Sequence, residues 1–166
     1  MKRNYNRRYA KEYGWFNTMF YLLFLHTVVD FIVNVFYDYK VFGKENVPKG
    51  KNYIYSGNHV SYFDPPLVTF ATRKKIAFMA KEELFDPQKE SVSWMVQHLG
   101  AFAVNREKPE ISTFKTIRDI LTTEWSLGIF PQGHIVKEHA IDEVNKGFVL
   151  FAKKYKADVV PIAICG

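Results

Sequence analysis

The residues best suited to chemistry lie together in Asn58-His59-Val60-Ser61-Tyr62-Phe63-Asp64-Pro65-Pro66. A histidine and an aspartate stand with four residues between them, directly after a strand-like run and directly before a proline pair. An imidazole titrates near neutrality, and a carboxylate on one ring nitrogen fixes the tautomer and raises the basicity of the other. A sharp turn between His59 and Asp64 would fold the carboxylate back onto the ring and leave an oriented general base at the end of a strand. Asp64 is equally a helix N-cap candidate. Its carboxylate could bond the open amides of a first turn, with proline favoured just behind the cap. A structural reading therefore stands beside the chemical one, with Asp64 capping a helix and His59 packing.

Three further segments fall where strands end, the place at which α/β folds gather ligands. In Gly100-Ala101-Phe102-Ala103-Val104-Asn105-Arg106 a glycine opens a strand and an arginine closes it, offering a forked cation to a phosphate. Phe130-Pro131-Gln132-Gly133-His134 is a strand running into a Pro-Gly turn, which can bring backbone amides close to a ligand. Val159-Val160-Pro161-Ile162-Ala163 reads as a buried strand whose proline points to an edge or a bulge. Taken one at a time, each has a bland counterpart: a solvated arginine, an ordinary turn, a core strand.

The elements that must position these residues alternate along the chain. Strands are expected at 52–56, 76–80, 101–105, 127–130 and 158–164. Helices are expected at 64–72, 90–99, 109–125 and 141–155, the third from Phe114, Ile117, Leu121 and Trp125 at steps of three and four. Such alternation predicts an α/β fold, a largely parallel sheet flanked by helices. The chain stops inside or just after its last strand, so a domain truncated at its C-terminus is expected.

Before the first strand the pattern differs. Lys2, Arg3, Arg7, Arg8 and Lys11 crowd the start, and an aromatic and aliphatic run from Trp15 to Phe42 follows. His26, Asp30, Asn34 and Asp38 recur every four residues and form one drifting polar stripe on an otherwise apolar helix. This predicts an N-terminal membrane-docking helical segment over 1–42, lying in one leaflet with its basic start on lipid head groups, ahead of an α/β domain over 43–166. A spanning helix with its stripe packed on protein, and a helix buried in the globular body, are the alternatives. With 23 basic and 17 acidic residues the net charge is +6, which implies an anionic partner. Basic residues interleaved with aromatics along one strand face are missing, so nucleic acid is not expected. A single cysteine, Cys165, excludes an internal disulfide.

In order and spacing, His-x4-Asp, Gly-x5-Arg, Phe-Pro-x-Gly and Val-Pro-Ile resemble the four blocks of the glycerolipid acyltransferase family, the 1-acyl-glycerol-3-phosphate acyltransferase type. The likeness runs from Val47 to Ile164 and takes in Pro48, the run Ala80-Lys81-Glu82-Glu83-Leu84-Phe85, and Lys146-Gly147 with Ala152. It implies a membrane enzyme of phospholipid biosynthesis that moves an acyl chain from acyl-CoA or acyl carrier protein to a lysolipid hydroxyl, on the cytoplasmic face and with no cofactor or metal. His59 would take the hydroxyl proton and Asp64 would hold the ring. Arg106 would bind the acceptor phosphate, helped by Lys81, with Phe130, Pro131, Gln132, Gly133 and His134 at the acceptor; Lys137 and Lys146 are less specific candidates. Amides near the His59 turn are expected to hold the tetrahedral oxyanion. The third block departs from the family's Phe-Pro-Glu-Gly-Thr-Arg-Ser: Gln132 keeps the shape of the glutamate without its charge, and Ile135 stands in place of the arginine. That departure leaves the acceptor open, and a degenerate member that binds lipid or an acyl carrier without turnover is the alternative.

Overall fold

A computed structural model describes residues 7–50, 52–85, 88, 90–105, 110–136 and 146–165. The elements run α1 (Trp15–Phe24), a π turn (Leu25–Val29), α2 (Asp30–Phe36), β1 (Tyr53–Gly57), α3 (Asp64–Thr72), β2 (Ile76–Lys81), α4 (Glu90–His98), β3 (Phe102–Val104), α5 (Ile111–Leu121), β4 (Ser126–Ile129), α6 (Gly147–Tyr155) and β5 (Asp158–Ile162). The five strands form one sheet in the order β3-β2-β4-β1-β5, and each pairing is parallel. The expected α/β architecture is therefore present. Ile54, Ala77, Phe102 and Leu127 pack with Ile117, Ile120 and Leu121 of α5 and Phe151 of α6 in the main core. A second cluster gathers Tyr55, Ile76 and Phe78 with Val68 of α3.

Two elements differ from expectation. α5 stops at Leu121, because the hydroxyls of Thr122 and Thr123 bond back to the carbonyls of Asp119 (2.8 Å) and Ile120 (2.6 Å) and close its last turn. Trp125 then leaves the helix and is buried with edge-on contacts to Tyr13 and Tyr21. β5 is not a buried strand. As the outermost strand it has β1 on one side only, Val159 is 39% exposed, and Pro161 sits opposite Ser56 on that edge, where a missing donor costs least. Of the helix expected over 141–155, the part before Lys146 lies outside the described residues.

The N-terminal stretch Ala10–Phe36, 27 residues, opens with a 3-10 turn (Ala10–Tyr13), passes through an extended Gly14 and is continuously helical from Trp15. It is long and apolar enough to cross a membrane by length and composition. Tyr21, Leu25, Val29 and Val33 are buried at steps of four. On a helix of 3.6 residues per turn such steps drift round the axis; the wider π turn in the middle takes up part of the drift and keeps the four side chains on one face. That face belongs to the same core as Ile54 and Trp125. The Tyr21 hydroxyl donates to the carbonyl of Lys74 (2.7 Å) and accepts from the amide of Ile76 (3.2 Å), fastening the helix to the start of β2. The polar stripe lies one position further round. Asp30 holds Arg73 at 2.6 Å and His26 at 3.3 Å, while Asp38 lies past the end of the helix. Trp15, Phe16, Leu23, Phe31, Val35 and Phe36 remain more than half exposed.

The basic start does not lie on head groups at Arg7 and Arg8. The Arg8 guanidinium is buried and donates to the carbonyls of Gln97 (2.7 Å) and Ala101 (2.8 Å), where α4 ends and its carbonyls favour a cation. Arg7 meets Asp119 at 2.6 Å. Burial alone would raise the Asp119 carboxyl, but hydrogen bonds from Arg7 and Arg118 outweigh it and hold the group below the usual carboxylate range.

Gly128 decides how the sheet meets the site. A Cβ there would stand 2.4 Å from the Phe78 ring and 2.7 Å from Ile76. Phe78 stacks on Phe130, and Phe130 stacks on His59 with centroids 4.3 Å apart. Gly128→Ala is therefore expected to cost about 1–3 kcal/mol by overpacking. A thermal melt should show the loss, and an unchanged melting temperature would mean that the ring gives way freely.

Candidate active site

β1 ends at Gly57, and the chain then turns through His59 to the start of α3. Asp64 is the first residue of that helix and is fully buried. Its Oδ2 accepts from the amides of Val60 (2.7 Å) and Ser61 (2.8 Å) and lies 2.7 Å from His59 Nδ1. The carboxylate thus reaches back into the turn and does not cap the first turn of α3. The proline pair explains why: Pro65 and Pro66 have no N–H to offer, and the amide of Leu67 is bonded to the carbonyl of Phe63 (3.0 Å). With two amides donating to Oδ2, the shared proton belongs on Nδ1, and Nε2 carries the open lone pair. Since His59 lines the adjacent cleft, this arrangement is competent for general-base chemistry there.

Four amides of the turn near which oxyanion donors are expected already have partners. Those of Val60 and Ser61 hold Asp64, that of His59 donates to Gln132 Oε1 (2.8 Å), and that of Phe63 donates to Ser61 Oγ (3.1 Å). Two of the four thus orient the carboxylate.

The peptide of His59 is gripped by the third block. Besides the bond to Gln132, its carbonyl accepts from the amide of Val136 (2.9 Å). The neighbouring Asn58 exchanges two hydrogen bonds with the backbone of Ile164, at 2.8 and 2.7 Å, and ties the turn to the chain after β5. Neither partnership is predicted by the sequence; an asparagine beside the histidine was the one local signal.

The cleft opens at the carboxyl ends of the strands, as parallel α/β sheets favour. Its wall is mostly apolar: Met79 and Ala80 from β2, Val104 and Asn105 from the end of β3, Ile129, Phe130 and Pro131 from β4, and Phe148 and Phe151 from α6. Gly133 and Gly147 complete it. Of the residues singled out from sequence, His59, Phe130, Pro131 and Gly133 line the cleft, and Asp64 stands behind His59. Gln132 is turned to the His59 peptide, and His134 is exposed in the same turn. Lys81 ends β2 in an exposed position beside Ala80, and Lys146 is exposed just before α6. Arg106 and Lys137 lie outside the described residues. Among the described residues no three His, Cys, Asp or Glu side chains gather to hold a metal ion.

An imidazole held by a buried carboxylate, over an apolar cleft at the ends of parallel strands, suits transfer of an apolar group to a hydroxyl. The chain belongs to the acyltransferase family, whose model matches residues 38–165. It is 36% identical over 118 residues to the 1-acyl-sn-glycerol-3-phosphate acyltransferase of Streptococcus pneumoniae, covering 70% of this chain and 42% of that protein. To the enzyme of the same name from Bacillus subtilis it is 32% identical over 130 residues, covering 76% and 62%. The chain thus spans about half the length of the curated relatives it matches. The crystal structure of the 1-acyl-sn-glycerophosphate (LPA) acyltransferase PlsC from Thermotoga maritima superposes with a TM-score of 0.65 at 26% identity, covering 91% of this chain and 67% of that one.

Proposed function

We propose that this chain transfers a fatty acyl group from a thioester, acyl-CoA or acyl carrier protein, to the hydroxyl of a lysolipid such as 1-acyl-glycerol-3-phosphate, in phospholipid biosynthesis at the cytoplasmic face of a membrane. The observation that carries this reading is the 2.7 Å contact between His59 Nδ1 and buried Asp64, in a ring that lines an apolar cleft. In the first step Nε2 takes the hydroxyl proton as the oxygen attacks the thioester carbonyl. The tetrahedral intermediate then collapses, the C–S bond breaks, and the thiolate leaves with the proton returned by the imidazolium. No covalent acyl-enzyme is needed, and no cofactor or metal takes part in these steps. Placing the two substrates in contact supplies much of the acceleration. Arg106, which directly follows the cleft residue Asn105 in sequence, is the proposed phosphate ligand, helped by Lys81, whose register partner on β3 is Val104. Incubating the membrane-bound chain with labelled oleoyl-CoA, palmitoyl-CoA or acyl carrier protein against a panel of lysolipids tests the reading and identifies donor and acceptor together. A folded, membrane-bound protein that acylates none of them would refute it.

The exposed face of the N-terminal helix is the proposed membrane contact, with the helix lying in one leaflet. Near its end the catalytic turn joins this surface: Tyr37 stacks on Phe63 at 5.6 Å, and Tyr62 and Phe42 are 84% and 87% exposed. Changing Trp15, Leu23 and Phe31 together to serine removes apolar area without touching the packed face. Vesicle affinity is expected to fall at least about tenfold, since each large apolar side chain is worth about 1.5–3 kcal/mol when fully buried. The melting temperature should hold. Flotation in high salt measures this directly, because apolar burial is not screened; undiminished binding would contradict the docking face.

A further inference from the structure

The contact between Gln132 and His59 goes beyond orientation of the ring by Asp64. Only the carbonyl oxygen of a carboxamide can accept from an N–H, so Oε1 faces the His59 amide at 2.8 Å and the side chain's own N–H groups point away from it. The two residues are 73 positions apart, so the turn after β4 is what fixes the peptide of the histidine after β1. Val136 completes the grip on the other side of the residue, at the His59 carbonyl. Asp64 and Phe130 control the ring; Gln132 and Val136 control the backbone from which the ring hangs.

We infer that Gln132 is a positioning residue for His59, and that its neutrality leaves the basicity of the ring to Asp64. A carboxylate could accept the same N–H, but it would add a second negative charge beside the imidazole and stabilise its protonated form. A side chain without an acceptor would release the peptide and let the ring shift. Misplacement of a catalytic group by about 1 Å costs on the order of a hundredfold in rate. Among the described residues, Asp64 is the charged group in contact with the ring. Among those same residues, the titratable side chains next in sequence to cleft-lining residues are Lys81 after Ala80, His134 after Gly133 and Lys146 before Gly147.

The inference rests on His59 acting as the base, so its test has a readout that does not need turnover. The His59 imidazole is titrated by NMR in the full micelle-bound chain, with its resonance assigned by its absence in His59→Ala. The wild type is compared with Gln132→Glu and Gln132→Met, and acyl transfer is followed against pH in parallel. Gln132→Glu is expected to raise the His59 pKa by about one unit and to move the acid limb of the rate profile with it. Gln132→Met should leave that pKa in place and lower kcat about tenfold to a hundredfold, with KM for both substrates within about twofold. An unmoved His59 titration in Gln132→Glu, or wild-type kcat in a folded Gln132→Met, would overturn the inference. If the methionine variant does not fold, the glutamate variant decides it. If the wild type transfers nothing, that failure falls on the functional reading, and the titration still judges Gln132.

Discussion

Asp64→Asn is expected to lower kcat about a thousandfold while leaving the melting temperature near that of the wild type. The asparagine carbonyl can still accept from the amides of Val60 and Ser61, so the turn keeps its shape. What disappears is the charge that stabilises the imidazolium formed when His59 takes the hydroxyl proton. The asparagine oxygen that accepts from the two amides also faces Nδ1, so the tautomer is kept and the loss of rate reports the missing charge. Asp64→Ala should behave differently. It strands two backbone donors in a buried site, at about 1–3 kcal/mol each, and loses stability as well as rate. Steady-state kinetics and a thermal melt on both variants separate the two effects. An asparagine variant within tenfold of wild-type kcat would show that the carboxylate serves the turn and not the reaction.

His59→Ala is expected to have the larger effect on rate, a loss of at least about a thousandfold, because it removes the only proton acceptor that the turn presents to the cleft. The cost in stability should be small. The ring is partly exposed, and the bonds that hold this segment run through the backbone of residue 59 and the side chain of Asn58, which the substitution leaves in place. Vesicle binding should not change, since the proposed docking face lies on the N-terminal helix. Loss of membrane binding with loss of activity would point to a collapsed turn.

The sheet and the chemical pair were legible in the sequence because their signals are local. Strand and helix periods are written into short windows, and His59 and Asp64 lie on one turn. α3 is found over the very residues that its proline pair marks. Reading that pair as a cap signal was the error: the same prolines that start the helix deprive Asp64 of amides to cap, and so turn it toward His59. What the sequence hides is long-range. Gln132 looks like a weakened substrate ligand until the fold sets it on the His59 amide. Arg8 looks solvated in a basic run, yet the end of α4 leaves carbonyls that draw it inside. The N-terminal helix carries apolar residues on its packed and its open faces alike, so composition could not say which side meets protein. The π turn that sorts them has no sequence signature.

The most direct test of the central claim is a single-turnover experiment with acyl-labelled oleoyl-CoA and 1-oleoyl-glycerol-3-phosphate on vesicles, comparing the wild type with His59→Ala at equal bound protein. Direct general-base transfer predicts label passing from thioester to lipid in the wild type, no label on the protein at any time, and no lipid product from the alanine variant above the uncatalysed rate. Label held covalently by the protein on its way to lipid, or product formed by the alanine variant at the wild-type rate, would contradict it.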